Sequence, residues 1–453
     1  MNGKGQCASP SSCAGTTYSG YCPGTLKCCV PPAGDAPAPA PAPAAATASK
    51  NRLIHRGKPI FLSGINVAWG PAPAFCSDIL YLNPGCKTQQ CVSERNFFEQ
   101  MLQEVSSAGG NSVRFWLLGD GSILPVNNYK SRLVTRIPAA QIASVNWLLD
   151  MGTKYNIVFI LCLWSFDMVN DQGYGAAYGM WNTIVTDPGH TDSFISNWLM
   201  PFTNAVKDHP ALLALEVFNE PEGMMVENWG WTLCPSGKPE CARITINQAQ
   251  RFANRVASAI HSASASLKVT VGSWSYIANS IVNGNWNLWS DKQLVAAGGK
   301  PDGTLDFYQV HYYNWAYPQN SPFVHRADEW GASDKPHVIG EMPNNPTGVN
   351  SAEIYKTLYT NGYAGALGWV YYNAQRDPAF DKQVFLDNMR SMQAAYGAYG
   401  WPTSAAPKAT APKACTNSYP YNDGYSCDQQ AGWGKCSQPF MKSPVCDRSC
   451  GRC

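Results

Sequence analysis

Between residues 50 and 401, short apolar segments alternate with longer amphipathic segments. Short apolar runs bounded by polar residues predict buried strands, and apolar residues at intervals of three and four predict helices. The predicted strands are Ile60–Asn66, Ser112–Trp116, Ile157–Trp164, Leu213–Asn219, Lys268–Trp274, Phe307–Tyr312, His337–Glu341 and Ala366–Tyr371. The clearest predicted helices are Ser93–Ala108, Ala139–Lys154, Ile244–Ala263, Ala352–Thr360 and Asp381–Tyr396. This order predicts an α/β fold, a (β/α)8 TIM barrel with insertions, whose floor is closed by a hairpin at Gly57–Ile60.

Both ends of the chain differ in composition from this central region. Residues 1–30 carry five cysteines among Gly, Ser and Pro, which predicts a disulfide-stapled mini-domain with one cysteine left over. Residues 31–49 are rich in Ala and Pro and predict an extended linker. A second linker at 402–414 precedes a six-cysteine module at 415–453. The predicted barrel domain is therefore 50–401.

The cysteine count indicates the compartment. Seventeen cysteines in 453 residues favour an oxidising environment, so we expect a secreted protein. The first residues, Met1 to Cys7, contain no apolar signal-peptide core, so we expect the leader to have been removed or to be missing from this sequence. We expect no membrane-spanning segment, because a span needs about 20 consecutive apolar residues.

Charge and aromatic content narrow the class of partner. Lys and Arg number 33 against 31 Asp and Glu, a net charge of +2, which argues against a polyanion such as nucleic acid. The 16 Trp and 22 Tyr provide flat faces that stack on sugar rings, although they equally suit an ordinary core. The barrel region has neither a Cys/His set with zinc spacing nor a Gly-rich phosphate loop, so we expect no metal and no cofactor.

Two glutamates end predicted strands. The fourth strand ends in Asn219-Glu220-Pro221, and the seventh ends in Glu341. Active sites of TIM barrels lie at the C-terminal ends of the strands. Glycosidic bond cleavage uses two carboxyl groups, about 5–5.5 Å apart in retaining enzymes. The alternative for either residue is a helix cap or a surface ion pair, but the two together favour catalysis.

The motifs around these glutamates resemble those of glycoside hydrolase family 5, in clan A, over residues 51–398. Within that family they are most similar to endo-β-1,4-mannanases of molluscs and other invertebrates. The matching stretches are Gly109–Arg114, Cys162–Trp164, Asn219–Met225, Asp306–His311, Pro322–His325, Ile339–Glu341 and Gly362–Ala366. The resemblance implies endo-acting, retaining hydrolysis of β-1,4-mannosidic bonds in mannan, glucomannan or galactomannan, by a protein that we expect to be monomeric.

The resemblance also implies roles for individual residues. Glu220 would be the general acid/base and Glu341 the nucleophile. Substrate-binding residues would be Arg114, which also keeps the nucleophile ionised, together with Asn219, His311, Tyr313 and Trp369. Arg114 could instead be a structural ion pair and His311 a satisfied core residue. Trp116, Trp164 and Trp274 end predicted strands, like Trp69 and Trp315 nearby, so we expect several of these to line the cleft, while each alone could equally be a core residue.

The remaining cysteines lead to further predictions. The C-terminal spacing, ending in Cys446-Asp447-Arg448-Ser449-Cys450-Gly451-Arg452-Cys453, resembles the ShK-like toxin module. That resemblance implies the pairs Cys415–Cys453, Cys427–Cys446 and Cys436–Cys450. The terminal modules could bind cell-wall carbohydrate or another partner, or the C-terminal one could be a protease-resistant tail. Inside the barrel region we expect Cys234 to pair with Cys241 and the set Cys76, Cys86 and Cys91 to be bridged internally, with Cys162 a buried thiol or a partner of that set.

Departures from the family pattern leave other functions open. The third strand ends in Trp164-Ser165 without a histidine, Met342-Pro343 follows the second glutamate, and Leu367-Gly368 precedes Trp369. Mannose and glucose differ only at the 2-hydroxyl, so a few residues can reverse the preference. The alternatives are an endo-β-1,4-glucanase of the same fold and a catalytically idle carbohydrate-binding wall protein.

Overall fold

The computed structural model describes residues 52–72, 77–119, 121, 123–124, 133–169, 182–227, 244–372 and 380–397, together with three short strands near the N-terminus. Those strands, Gln6–Ala8, Thr16–Tyr18 and Lys27–Val30, form one antiparallel sheet with Lys27–Val30 in the centre. The chain divides into two compact units, Met1–Trp401 and Pro402–Cys453. The second unit, both linkers, Cys76 and the Cys234–Cys241 pair lie outside the described residues.

Eight parallel strands close into a barrel, as predicted. In chain order they are β1 (Leu62–Val67), β2 (Ser112–Gly119), β3 (Val158–Ser165), β4 (Leu212–Asn219), β5 (Lys268–Ser273), β6 (Tyr308–His311), β7 (His337–Glu341) and β8 (Gly365–Gly368). Each strand pairs with the next, and β8 pairs with β1. The TIM-barrel prediction is therefore confirmed.

Helices surround the barrel and mostly match the predicted segments. The α-helices are Asp78–Tyr81, Gln89–Ser107, Ala139–Tyr155, Asn182–Thr186, Pro188–Phe194, Met200–Val206, Ile246–Ala263, Asp291–Gly298, Ile354–Thr360 and Lys382–Tyr396, with a π-helical turn at Ile195–Leu199. Short 3₁₀ turns occupy Phe166–Val169, Pro221–Met224, Tyr276–Ala278, Asn314–Ala316, Ala327–Trp330 and Ser351–Glu353. None of the described helices is long and apolar enough to cross a membrane.

The barrel floor is closed by the predicted hairpin. Strands Leu53–His55 and Lys58–Ile60 pair through a tight turn in which Arg56 and Gly57 have φ of 48° and 77°. Two consecutive positive φ values are the geometry of hairpin turns. Leu53 and Ile60 are buried in one apolar cluster with Val158 and Ile160 of β3, so the hairpin plugs the end of the barrel opposite the active-site face.

The interior changes from apolar to polar toward the C-terminal ends of the strands. Val158 and Ile160 of β3 belong to the floor cluster, whereas Arg114, Glu216 and Gln309 are polar residues buried higher in the barrel. Register shifts in the β2–β3 and β4–β5 pairings interrupt strict alternation at this level. Buried charges are tolerated only where they are paired and hydrogen-bonded, which makes this layer the place to look for chemistry.

The described cysteines of the barrel show a disulfide within the predicted set and a buried thiol at Cys162, one of its two predicted states. Cys86 and Cys91 form a disulfide at the start of the helix Gln89–Ser107. Cys162 is a buried thiol in β3 whose Sγ donates to the carbonyl of Trp164 at 3.2 Å.

Candidate active site

Glu220 and Glu341 meet at the C-terminal end of the barrel. Glu341 is the last residue of β7, and Glu220 directly follows β4. The Glu220 backbone is left-handed, with φ 46° and ψ 53°, and its N–H donates to the carbonyl of Gly272 at 2.7 Å. A carboxylate oxygen of Glu220, one of Glu341 and a ring nitrogen of His311 lie within 4.8 Å of one another.

His311, the last residue of β6, lies between the two carboxyl groups. Its Nδ1 is 2.7 Å from Oε1 of Glu220 and 3.5 Å from Oε1 of Glu341. Burial lowers the pKa of His311 to about 4, the charge on Glu341 opposing that shift and the charge on Arg114 adding to it. The imidazole is therefore neutral near pH 7, and it can donate to Glu220 when that group is ionised or accept from it when it is protonated.

Arg114 on β2 organises the polar layer. Its Nη1 donates to Oε1 of Glu341 at 2.7 Å and to Oδ1 of Asn66 at 3.0 Å, and its Nη2 donates to Oδ1 of Asn219 at 2.7 Å. The guanidinium also lies 4.0 Å from the ring centre of Trp116. Burial favours loss of the charge, but the neighbouring carboxylates outweigh it and raise the pKa of Arg114, which stays charged.

Glu216 is a buried partner of Arg114 that the sequence analysis missed. Its Oε2 accepts from Nε and its Oε1 from Nη2 of Arg114, both at 2.6 Å, and neither side chain is exposed. Bidentate arginine–carboxylate pairs fix orientation as well as charge. A glutamate in the middle of an otherwise apolar strand was the available signal, since such a residue is rarely buried unless it is paired.

The side-chain amide of Asn219 has a fixed orientation. Its Oδ1 accepts from Arg114, and its Nδ2 donates to Oγ of Ser165 at 3.3 Å. The Ser165 hydroxyl in turn donates to Oδ2 of Asp167 at 2.6 Å. Asn219 therefore presents one N–H of its amide group beside Glu220, and the end of β3 contributes a serine and an aspartate to the site.

The two glutamates have different surroundings. Burial raises the pKa of Glu220 to about 7, with Arg114 opposing and Asp167 and Glu216 adding to the shift. Burial also raises the pKa of Glu341 from its usual value, but His311 and Arg114 oppose the rise. The Tyr313 hydroxyl donates to Oε2 of Glu341 at 2.9 Å, so hydrogen bonds from Arg114 and Tyr313 both stabilise the ionised form of Glu341.

Three tryptophans cluster beside this layer. Trp369 follows β8 and contacts Trp69 and Trp116 edge to face, with ring centres 5.8 and 5.6 Å apart. Trp69 and Trp369 remain partly exposed, whereas Trp116 is 3% exposed and lies between the cluster and Arg114. Trp116 therefore connects the partly exposed Trp369 to the Arg114 guanidinium in the polar layer.

The other two predicted tryptophans differ from each other. Trp274 directly follows β5 and stacks on Trp315 at 4.7 Å, and Trp315 is 53% exposed, so this pair forms an aromatic surface. Trp164 is fully buried and packs against Phe194 in the main core, so the expectation that it lines the cleft is wrong. Cys162 and Ser165 of β3 contact the interior residues Trp116 and Asn219, which turns Trp164 toward the helices.

The arrangement suits acid–base and nucleophilic catalysis, such as the cleavage of a glycosidic bond. One carboxyl group has a pKa raised to about 7 and can carry a proton, and the other is held by cationic and hydroxyl donors. Glu220, His311 and Glu341 also form the one cluster of potential metal ligands found within the described ranges. Their ligand atoms already bond one another, Arg114 and Tyr313, so the cluster is explained without an ion.

Comparison with known proteins identifies relatives over most of the chain. No family model matches. The mannan endo-1,4-β-mannosidase of Mytilus edulis is 33% identical over 336 residues, covering 71% of this chain and 86% of that protein. That of Cryptopygus antarcticus is 30% identical, covering 77% of this chain and 89% of that protein. The solved β-mannanase structure of Mytilus edulis superposes with a TM-score of 0.65 at 30% identity, covering 78% of this chain and 98% of that one. The predicted kinship is confirmed: this chain belongs to the mannan endo-1,4-β-mannosidase family.

Proposed function

We propose that this protein is a secreted, endo-acting glycoside hydrolase of family 5 that cleaves β-1,4-mannosidic bonds in mannan, glucomannan or galactomannan with retention of configuration. The observation that carries the proposal is the pair of carboxyl groups of Glu220, directly after β4, and Glu341, at the end of β7, which have oxygens within 4.8 Å of each other. A short carboxyl separation leaves room for a covalent intermediate and not for a water between nucleophile and sugar. The activities of the relatives support mannan as the substrate.

In the first step, Glu341 attacks the anomeric carbon while Glu220 protonates the departing glycosidic oxygen. The two groups need opposite proton states near neutral pH. Burial raises the pKa of Glu220 to about 7, which keeps a proton available. Arg114 and Tyr313 donate to Glu341 and hold its carboxylate in position for attack. The bond to the leaving sugar breaks as the Glu341–sugar ester forms.

In the second step, Glu220 has lost its proton and acts as a base. It takes a proton from water, the water oxygen attacks the anomeric carbon, and the ester to Glu341 breaks. His311 remains bonded to Glu220 throughout, because its Nδ1 can donate to the ionised form. Asn219, held by Arg114 and Ser165, would bind the sugar 2-hydroxyl, and Trp369 would form the platform under the sugar ring.

The test compares three substrates and two variants. Reducing-sugar release is measured on galactomannan, glucomannan and carboxymethylcellulose for the wild type, Glu220→Gln and Glu341→Gln. We expect hydrolysis of both mannans, with a loss of about 10²- to 10⁴-fold in Glu220→Gln and at least as large a loss in Glu341→Gln. The matched control is Glu99→Gln, which replaces a surface carboxylate paired with Lys154. NMR of the first product tests retention.

Two results would change the assignment. Preference for carboxymethylcellulose would favour the glucanase alternative with the same two glutamates. A folded wild type without activity on any of the three substrates would favour a carbohydrate-binding protein. The expected secretion, monomeric state and carbohydrate binding by the terminal modules remain part of the same proposal, supported by cysteine content and by the predicted linkers.

A further inference from the structure

Another buried glutamate, Glu222, lies two residues after Glu220. It belongs to the 3₁₀ turn Pro221–Met224 that begins directly after Glu220, and it is 0% exposed. Burying a carboxyl group costs free energy unless hydrogen bonds compensate. Neither the acid/base step nor the nucleophilic step described above uses this group, so its presence requires a separate explanation.

Two N–H groups from another part of the barrel hold the Glu222 carboxyl. Its Oε2 accepts from the backbone N–H of Trp274 at 3.3 Å, and its Oε1 accepts from the indole N–H of Trp289 at 3.1 Å. Trp274 directly follows β5, and Trp289 is fully buried further along the same loop. Glu222 therefore ties the turn after β4 to the segment after β5.

The turn that carries Glu220 needs such support. Glu220 has φ 46°, and a left-handed conformation in a residue other than glycine costs free energy and persists only where the surroundings fix it. Backbone bonds from Glu220 to Gly272 at 2.7 Å and from Gly223 to Glu220 at 3.0 Å fix one side of the turn. The Glu222 side chain is in position to fix the other side.

We propose that Glu222 is a positioning residue for Glu220. By binding the Trp274 amide and the Trp289 indole, its carboxyl group holds the turn that follows Glu220 and the segment that begins at Trp274 in one fixed arrangement. This inference rests on the proposed function, since it gives Glu220 the role of general acid. It assigns Glu222 no contact with substrate. A misplacement of about 1 Å in a catalytic group can lower the rate about 10²-fold, so small movements of this turn are enough to matter.

The pKa of Glu222 also reflects its closeness to Glu220. Burial raises the pKa of Glu222 to about 7, the Trp289 and Trp274 N–H groups oppose the rise, and the charge on Glu220 adds to it. The charges that act on Glu220 itself are those of Arg114, Asp167 and Glu216, which a substitution at position 222 leaves in place.

The decisive variant is Glu222→Gln. The amide has the same shape, but its NH₂ group faces one of the two N–H donors, so one hydrogen bond is lost. Two rates are measured. The first is kcat/KM on galactomannan, whose leaving group needs a proton from the acid. The second is the burst of phenolate released from dinitrophenyl β-mannobioside, whose leaving group needs no acid. We expect kcat/KM on galactomannan to fall about 10- to 100-fold and the burst rate to stay within about threefold.

Two further variants guard against a folding defect. Trp289→Phe leaves Glu222 intact and removes the indole N–H together with part of a buried ring, so a loss confined to galactomannan, and not shared by the burst rate, would come from the lost hydrogen bond. Asn254→Asp disrupts a buried network with the carbonyls of Lys300 and Gly303 at the opposite end of the barrel, and it should not change the ratio of the two rates.

Equal losses on both substrates in Glu222→Gln, or no loss on galactomannan, would overturn the positioning role. If the wild type instead prefers carboxymethylcellulose, the same comparison is made on it with dinitrophenyl β-cellobioside, and the Glu222 proposal is judged by the same ratio. A wild type without activity on any β-1,4-glycan would overturn both the proposed function and this role.

Discussion

At the residue scale, the proposed mechanism depends on two carboxyl groups, Glu220 and Glu341, in opposite proton states. Arg114 and Tyr313 donate to Glu341, whereas Glu220 is bonded to the neutral His311. The cation is thus directed at the nucleophile, and the acid/base contacts a neutral partner. Environment, and not residue type, separates the roles of two identical side chains.

The pH dependence of kcat/KM follows from these surroundings. In the proposed mechanism, hydrolysis of galactomannan needs protonated Glu220 and ionised Glu341. Burial raises the pKa of Glu220 to about 7, so activity should fall above about that pH. Burial also raises the pKa of Glu341 from 4.5, so the acidic limb should lie above the value of a free glutamate. With dinitrophenyl β-mannobioside, the burst rate should lose the basic limb, because the leaving group needs no proton. A basic limb that persists unchanged with that substrate would contradict the assignment of Glu220.

Substitutions at Glu216 should distinguish the contribution of the Arg114–Glu216 pair to stability from its contribution to catalysis. Its carboxylate is the bidentate counterion of Arg114, and both are fully buried. Glu216→Ala leaves a buried cation short of one partner, so the free energy of unfolding should fall by about 3–5 kcal/mol, as measured by urea denaturation. In the double variant Arg114→Met/Glu216→Met, two apolar side chains replace the pair, and much of that stability should return while activity on mannan stays lost. Recovery of activity along with stability would show that Arg114 serves only the fold.

At the element scale, five of the eight strands place a residue of the proposed site at their last position or just after it. Asn219, His311 and Glu341 end β4, β6 and β7, and Trp274 and Trp369 come directly after β5 and β8. This rule of parallel barrels made the strand ends predictable from sequence. The same reasoning was wrong for Trp164, because strict alternation assumes a regular strand and β3 places both Cys162 and Ser165 toward the interior.

Two residues of the polar layer could not be assigned a role from sequence. Glu216 lies within an apolar strand and Glu222 within a turn, and each has partners more than 50 positions away in the chain. Local patterns indicate that such carboxyl groups are unusual but do not identify what they bind. The identity of their partners follows from the closure of the barrel, which places side chains of β2 and β4 in one interior layer across β3 and pairs β5 with β4.

The segment after β1 is held by another pair of buried acids. Asp78 accepts from the backbone N–H of Gly70 at 2.9 Å, next to the partly exposed Trp69, and Asp78 shares a hydrogen bond with Glu94. Burial, and then the hydrogen bond and charge of Asp78, raise the pKa of Glu94 to about 10. The folded protein therefore keeps a proton that the unfolded chain releases above its ordinary pKa of 4.5.

Glu94→Gln should change the alkaline stability of this segment. Because the folded state binds the extra proton, wild-type stability should decrease as pH rises from about 5 toward 10. The glutamine amide can donate to Asp78 without a titrating proton, so Tm at pH 9 should rise by about 2–4 °C relative to the wild type, with a smaller difference at pH 5. Differential scanning calorimetry at both pH values measures this, with Glu99→Gln as the surface control. A lower Tm at pH 9 would show that Glu94 is ionised in the folded protein.

At the scale of the whole molecule, the chain consists of a catalytic barrel and cysteine-rich ends. The barrel has its own closed sheet, its own core and a hairpin that seals its floor. Every residue of the proposed catalytic layer lies between Asn66 and Trp369, within the unit Met1–Trp401. Within the part of the chain that the structure describes, the hydrogen-bond partners of that layer come from the barrel itself.

A chain restricted to residues 50–401 should therefore keep its full activity on soluble galactomannan. We expect kcat/KM within about twofold of the full-length value and an unchanged Tm, because the hydrogen bonds and ion pairs described for the catalytic layer all join residues of the retained range. The informative comparison is on insoluble mannan and on plant cell walls, where a module that binds carbohydrate raises the local enzyme concentration through its linker. Lower binding and slower hydrolysis of the solid, with unchanged rates on the soluble polymer, would assign the ends to substrate capture. Equal rates on both forms, together with faster proteolysis of the shortened chain, would assign them to protection, and a loss of activity on soluble substrate would contradict the independence of the barrel.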